Sequence, residues 1–251
     1  MRQFSVLLRK DFLELLRTKR ILIVGIIFVV FALSSPLLAK LTPELLRSLG
    51  DQVQIIMPDA TTVDSYGQFV SNVSQICVWA LIVAFGGLIV RERKSGMFNN
   101  LLNNGVSRSV FVLSKVTAQL LVVSLIYVVS CLLFSFYNQV LFGEFWLADS
   151  LLSFVMMYVF LVFAISFINL FSVISKSFIM SMVLSFFMTI VIALFDLFEF
   201  GRYLPNHLIS MSVTIFNNPS VMDYVWPNIG ITLGMSLVIV FVSIKLCRSR
   251  E

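Results

Sequence analysis

Six uninterrupted apolar stretches organise this chain: Ile21 to Ala39, Val70 to Val90, Val116 to Phe142, Leu151 to Ser175, Phe178 to Leu197 and Ile229 to Leu246. Each is close to the ~20 residues that an α-helix needs to cross the ~30 Å hydrocarbon core of a bilayer. A segment in lipid must satisfy its own backbone, so stretches of this kind fold as helices. The expected class is an all-α integral membrane protein with six transmembrane helices. Composition agrees: 59% hydrophobic and 12% charged residues, against about 45–50% and about 25% in soluble domains, exclude a water-soluble globule. Six spans in 251 residues leave no room for a second, soluble catalytic domain, and residues 1–251 are read as a single transmembrane domain.

Charge tests the span count independently, because Lys and Arg favour the cytoplasmic flanks of spans. Six crossings place both termini on one side. With that side inside, all of the 18 basic residues except Lys40, Arg47 and Arg202 are cytoplasmic. Glu44, Asp51, Asp59, Asp64, Glu144, Asp149, Glu199 and Asp223 fall in external segments. The net charge of +5 is therefore a topology signal of a plasma-membrane protein with cytoplasmic termini. The bases flank hydrophobic spans, which argues against nucleic acid as a partner.

Residues 2–18 are too long and too acidic, with Asp11 and Glu14, for the basic region of a cleavable signal. Phe4, Leu7, Leu8, Phe12, Leu15 and Leu16 share one half of a helical wheel, with Asp11 and Ser5 intruding, and Arg2, Arg9, Lys10 and Arg17 lie opposite. This pattern predicts an amphipathic helix in the cytoplasmic interface, in contact with membrane lipid. Outside, Thr42-Pro43-Glu44 reads as an N-cap and first turn, predicting a short helix over Pro43 to Leu49 ended by Gly50. The stretch Asn206 to Ile215 is too apolar for a solvated loop and is expected to dip as a helix into the outer leaflet.

The catalytic inventory is nearly empty. A single histidine, His207, excludes HExxH zinc sites. Asp196, at the outer end of the fifth span, reads as a boundary residue rather than a proton relay. Cys77, Cys131 and Cys247 lie far apart and read as core thiols. No Gly precedes a Lys, so no P-loop is present, and ATP, if used, must be bound by another subunit. Gly230 and Gly234 form a GxxxG expected to serve close helix packing.

The segment 91–108, between the second and third spans, carries the most information. Met97, Leu101 and Leu102 fall on one face of a short helix, Gly105 suits a left-handed cap, and Ser107 can cap the following helix. A short amphipathic helix at the cytoplasmic surface offers a docking face. From the residues alone, a passive channel or membrane scaffold is the alternative to a driven transporter.

The run Glu92-x-x-x-Gly96, Leu101-Leu102, Val106-Ser107-Arg108 and Lys115 resembles the pattern of type-2 ABC transporter permeases, with Met97, Gly105 and Ser114 departing from the usual Thr, Pro and Gly. Leu8-x-Lys10-Asp11-x-x-Glu14-x-x-Arg17 and Tyr203-Leu204-Pro205 resemble that family too. The resemblance implies the type V exporter fold of bacterial ABC exporters, with a coupling helix on a separate cytoplasmic ATPase. Glu92, Gly96, Met97, Leu101, Leu102, Ser107 and Arg108 would form the coupling segment. Two ATPase copies, carrying ATP and Mg, would drive this permease and a second one, a copy or a relative; this chain itself would hold no cofactor. By position in such a fold, Asn72, Gln75, Phe186, Phe187 and Phe195 would line the path, and Tyr203, Leu204 and Pro205 the outer gate. The cargo implied is an amphipathic or lipophilic solute such as a peptide, toxin or antibiotic.

Overall fold

The computed structural model describes residues 2–49, 59–143, 147–195 and 203–249, with backbone only for 2, 45–49, 147–148, 195, 219 and 249. The described residues are helical throughout, joined by short turns. Helix α1 (Arg2–Arg17) bends at Thr18 into α2 (Lys19–Leu49). A second helical rod follows as α3 (Thr62–Asn72), a π-helical turn (Val73–Cys77), α4 (Val78–Phe85) and α5 (Leu88–Lys94). The short α6 (Met97–Asn103) leads to α7 (Arg108–Phe142), α8 (Leu147–Ile174), α9 (Phe178–Phe195), α10 (His207–Thr214) and α11 (Met222–Ser249). Five helical stretches are long and apolar enough to cross a membrane: Lys19–Glu44, Thr62–Lys94, Arg108–Phe142, Asp149–Ile174 and Met222–Arg248. The sixth expected span is the shorter apolar helix Phe178–Leu194.

The core lies where the second, third and fourth spans meet. Phe69 stacks on Phe134 with ring centroids 4.3 Å apart, and Tyr66 meets the same ring edge-on at 4.9 Å. The Tyr66 hydroxyl donates to Ser150 Oγ at 2.6 Å, which satisfies a polar group carried into an apolar interior. Gln119 and Asn169 exchange amide hydrogen bonds of 2.6 and 3.3 Å across α7 and α8. All three cysteines are buried and free. Lipid takes the place of water on the outer faces, so Phe136, Leu237 and Phe241 stay more than 60% exposed within the chain.

Several elements differ from expectation. α2 continues without a break through Pro36 and Pro43 to Leu49, so no separate helix starts at Pro43. Thr42 meets a turn that is already wound, and its hydroxyl donates back to the Leu38 carbonyl at 2.6 Å instead of capping. Gly50 lies outside the described residues, as does Asp196. The second rod begins at Thr62, eight residues before the expected Val70, because Thr61 and Asp64 form a capping box: Thr61 N donates to Asp64 Oδ2 at 2.8 Å, and Asp64 N to Thr61 Oγ1 at 3.3 Å. Among the described residues, nothing comes within 4 Å of a Cβ placed on Gly230 or Gly234, so their GxxxG packs against no described helix.

Candidate functional site

α1 does not simply float on lipid. Its Leu7 and Leu15 are buried, and so is Asp11, the apparent intruder on its apolar face, at 3% exposure. Asp11 meets Lys115 of α7, whose Nζ donates to Oδ1 at 3.1 Å, and Ser114, whose hydroxyl donates to Oδ2 at 2.7 Å. The same Lys115 Nζ lies 2.8 Å from Glu92 Oε1 at the end of the second span. Lys10 completes the cluster, its Nζ 3.0 Å from Glu92 Oε1, 2.9 Å from Glu14 Oε2 and 3.3 Å from Asp11 Oδ1.

Three carboxylates thus surround two ammoniums between α1, α5 and α7. The carboxylate oxygens of Asp11, Glu14 and Glu92 come close enough to hold a metal ion, but the Lys10 ammonium already occupies the point where they converge. Burial alone lowers an ammonium's pKa; here the Coulombic pull of Glu92 and hydrogen bonds to Glu14 and Glu92 outweigh it, and Lys10 titrates above its ordinary 10.5. Its stabilising charge is therefore complete below about pH 10.5 and is lost only as pH rises through the raised value.

α6 hangs from this cluster. Gly96 enters it in the left-handed region at φ +75°, and Gly105 leaves it at φ +80°. Gly105 N donates to Leu102 O at 2.9 Å and Val106 N to Leu101 O at 3.1 Å, the paired bonds of a Schellman cap. Ser107 Oγ accepts from Val110 N at 3.3 Å and starts α7.

The apolar face expected on α6 is divided. Leu101 and Phe98 pack inward on a cluster that includes Phe111, Val112 and Val173, with the Phe98 and Phe111 rings 4.9 Å apart. Met97 stays outside, its sulfur 3.7 Å from Lys10 Nζ, and Leu102 is half-buried. Arg108 turns toward the last helix, Nη1 donating to Arg248 O at 2.6 Å. Arg93, which the sequence reading passed over, donates from Nη2 to the Ser172 and Ser175 carbonyls, both at 2.9 Å, and closes the C-terminal end of α8.

Of the described residues assigned to a path, Gln75 alone lines the cavity of about 320 Å³ between the π-helical turn, α8, α9 and the start of α10. Ser74, Trp79, Thr189 and Asn206 share that wall. Asn72 points away and donates to Ser35 Oγ at 2.9 Å, tying the rod to α2. Phe186 lies edge-on to Trp79 at 6.1 Å, Phe187 is 62% exposed, and the Phe195 side chain is outside the described residues. Tyr203 is half-exposed, Leu204 half-buried and Pro205 buried, immediately before α10. α10 forms as expected, with Leu208 and Met211 buried against α8 and α11. His207 meets Ser210 one turn along, Nδ1 to Oγ 3.2 Å.

No curated protein matches the chain. A family model described as ABC-2 family transporter protein matches residues 12–192, from within α1, just past Asp11, to near the end of α9. With its apolar helical bundle, the chain belongs to the ABC-2 transporter family and is a multi-pass membrane permease.

Proposed function

We propose that the chain is the transmembrane subunit of an ATP-driven exporter. It moves an amphipathic or lipophilic solute, such as a peptide, toxin or antibiotic, out of the cell by alternating access. Separate cytoplasmic ATPases supply the work, and a second permease, a copy or a relative, completes the path. The observation that carries this reading is the anchoring of α6. A short surface helix seated through Leu101 and Phe98, next to a buried ion cluster that joins three helices, can pass a push at its outer face into the spans without yielding locally.

The cargo class is supported by the cavity. Its walls combine Trp79, Phe160 and Phe167 with Gln75, Thr189 and Asn206. Its volume of about 320 Å³ is at the small end for ligand sites, suited to one amphipathic segment at a time. Such walls could not offset the desolvation of a small ion.

Leu102→Asp tests the docking face without unseating Leu101. We expect the variant to reach the membrane at wild-type levels and to lose most of the ATPase that co-purifies with wild type, measured by quantitative mass spectrometry after mild solubilisation. Wild type arriving with no ATPase, even after crosslinking, would overturn the reading in favour of a channel or scaffold.

A further inference from the structure

At the basic end of the bundle, two arginines converge on one aromatic ring. The Arg20 guanidinium carbon, at the start of α2, is 5.7 Å from the centroid of Phe178, and that of Arg91, in α5, is 5.6 Å from it. Phe178 opens α9, and its ring is seated directly on Gly87, where a Cβ would fall 1.9 Å from Cδ2. The place of the ring is therefore set by backbone packing between the second and fifth spans, and both guanidiniums lie over it.

Neither arginine pairs with a carboxylate among the described residues. Two acids, Glu14 and Glu92, share with them the wall of a small cavity of about 60 Å³ that also includes Thr18. Glu14 pairs with Lys10, and Glu92 meets Lys10 and Lys115 through Oε1, while its buried Oε2 has no hydrogen-bond partner. Two like charges are thus held on one ring with no ion-paired carboxylate among the described residues, an arrangement that an anion between them would stabilise. Guanidinium groups suit phosphate in particular, because their planar donors match its oxygens two at a time.

The surroundings favour a lipid source for that phosphate. The next residues of the same spans, Leu22, Ile23 and Ile179, are 63, 56 and 71% exposed, an apolar surface along which acyl chains can lie. Basic pockets between membrane helices at the cytoplasmic face are suited to anionic headgroups. We propose that Arg20, Arg91 and Phe178 form a binding site for the phosphate of an anionic membrane lipid, which joins the basic ends of the first, second and fifth spans. The site rests on the cytoplasmic placement of this end and is independent of cargo and of ATP.

The test compares wild type with Arg20→Gln/Arg91→Gln and with a charge-matched control, Arg17→Gln/Lys19→Gln, whose two bases are exposed. Each protein is equilibrated with phosphatidylcholine vesicles containing phosphatidylglycerol, solubilised mildly, and its bound lipid counted by native mass spectrometry. We expect about a tenfold loss of retained phosphatidylglycerol in Arg20→Gln/Arg91→Gln, little change in the control, and no displacement from wild type by inorganic phosphate. Equal retention in the test variant, or equal loss in the control, would overturn the site. Displacement by inorganic phosphate would reassign it to a free anion.

Should the test variant fail to fold, a photoactivatable phosphatidylglycerol on wild type decides. Labelling concentrated near residues 18–24, 87–91 and 178–182 supports the site. Labelling spread evenly over the basic boundary, or an acidic segment of a partner protein crosslinked there instead, overturns it. The readout is bound lipid, so failure leaves the exporter reading standing, and loss of the ATPase partner leaves this one standing.

Discussion

Lys115→Met is expected to destabilise the folded protein by about 3–5 kcal/mol, the usual cost of removing one partner from a buried ion cluster. Lys115 is the more buried of the two cations between Asp11 and Glu92, and the Lys115, Asp11 and Glu92 side chains are 6, 3 and 8% exposed. With the ammonium gone, Lys10 alone faces three carboxylates, and two of them are sealed from solvent. The expected readout is a large drop in thermal unfolding temperature of the purified protein. Combining Lys115→Met with Asp11→Asn should recover part of the loss, because the second change removes the charge that the first left stranded. A Lys115→Met protein that melts with wild type would show that α1 is not held on α7 through this ion pair.

Gly87→Ala should have the next largest effect. The new Cβ would lie 1.9, 2.7 and 2.9 Å from three atoms of the Phe178 ring, so the ring or α5 must move. Overpacking of this kind costs about 1–3 kcal/mol, and here it also displaces the wedge between the second and fifth spans. We expect reduced stability together with transport impaired beyond what the protein level explains. Adding Phe178→Leu should restore stability, because the smaller side chain vacates the space. If Gly87→Ala behaves as wild type in both assays, the close seat of Phe178 on the backbone is not a constraint.

Much of the bundle was legible in the sequence because bilayers impose a length and a charge rule. The six apolar stretches and the asymmetry of Lys and Arg needed no partner information. The turns around α6 were equally local: the left-handed Gly105 and the Ser107 cap depend on residues within a few positions. What stayed hidden depends on groups far apart in the chain. Asp11 breaks the apolar face of α1 until Lys115, 104 positions later, is placed against it. Ser114 looked like a lapse from the family's Gly, yet its hydroxyl satisfies the second oxygen of Asp11. Arg93 was counted only as a topology charge, since nothing nearby indicates that it would close a helix ending some 80 residues on. The continuous α2 was missed for another reason: Thr-Pro-Glu is a starting signal only where no helix is already running.

The π-helical turn at Val73–Cys77 has a consequence for the whole second rod. Val78 N reaches back to Val73 O, so this turn takes in one residue more than an α-helical turn. One residue corresponds to about 100° of rotation about the helix axis. One end of the rod is indexed by Tyr66 on Ser150, and the other by Glu92 on Lys10 and Lys115. With the break at Gly86–Gly87 unchanged, loss of that extra residue would leave one end turned about a quarter of a circle or more relative to the other. The extra residue thus acts as a phase correction, making a single rod answer to two fixed points whose angular settings do not otherwise agree.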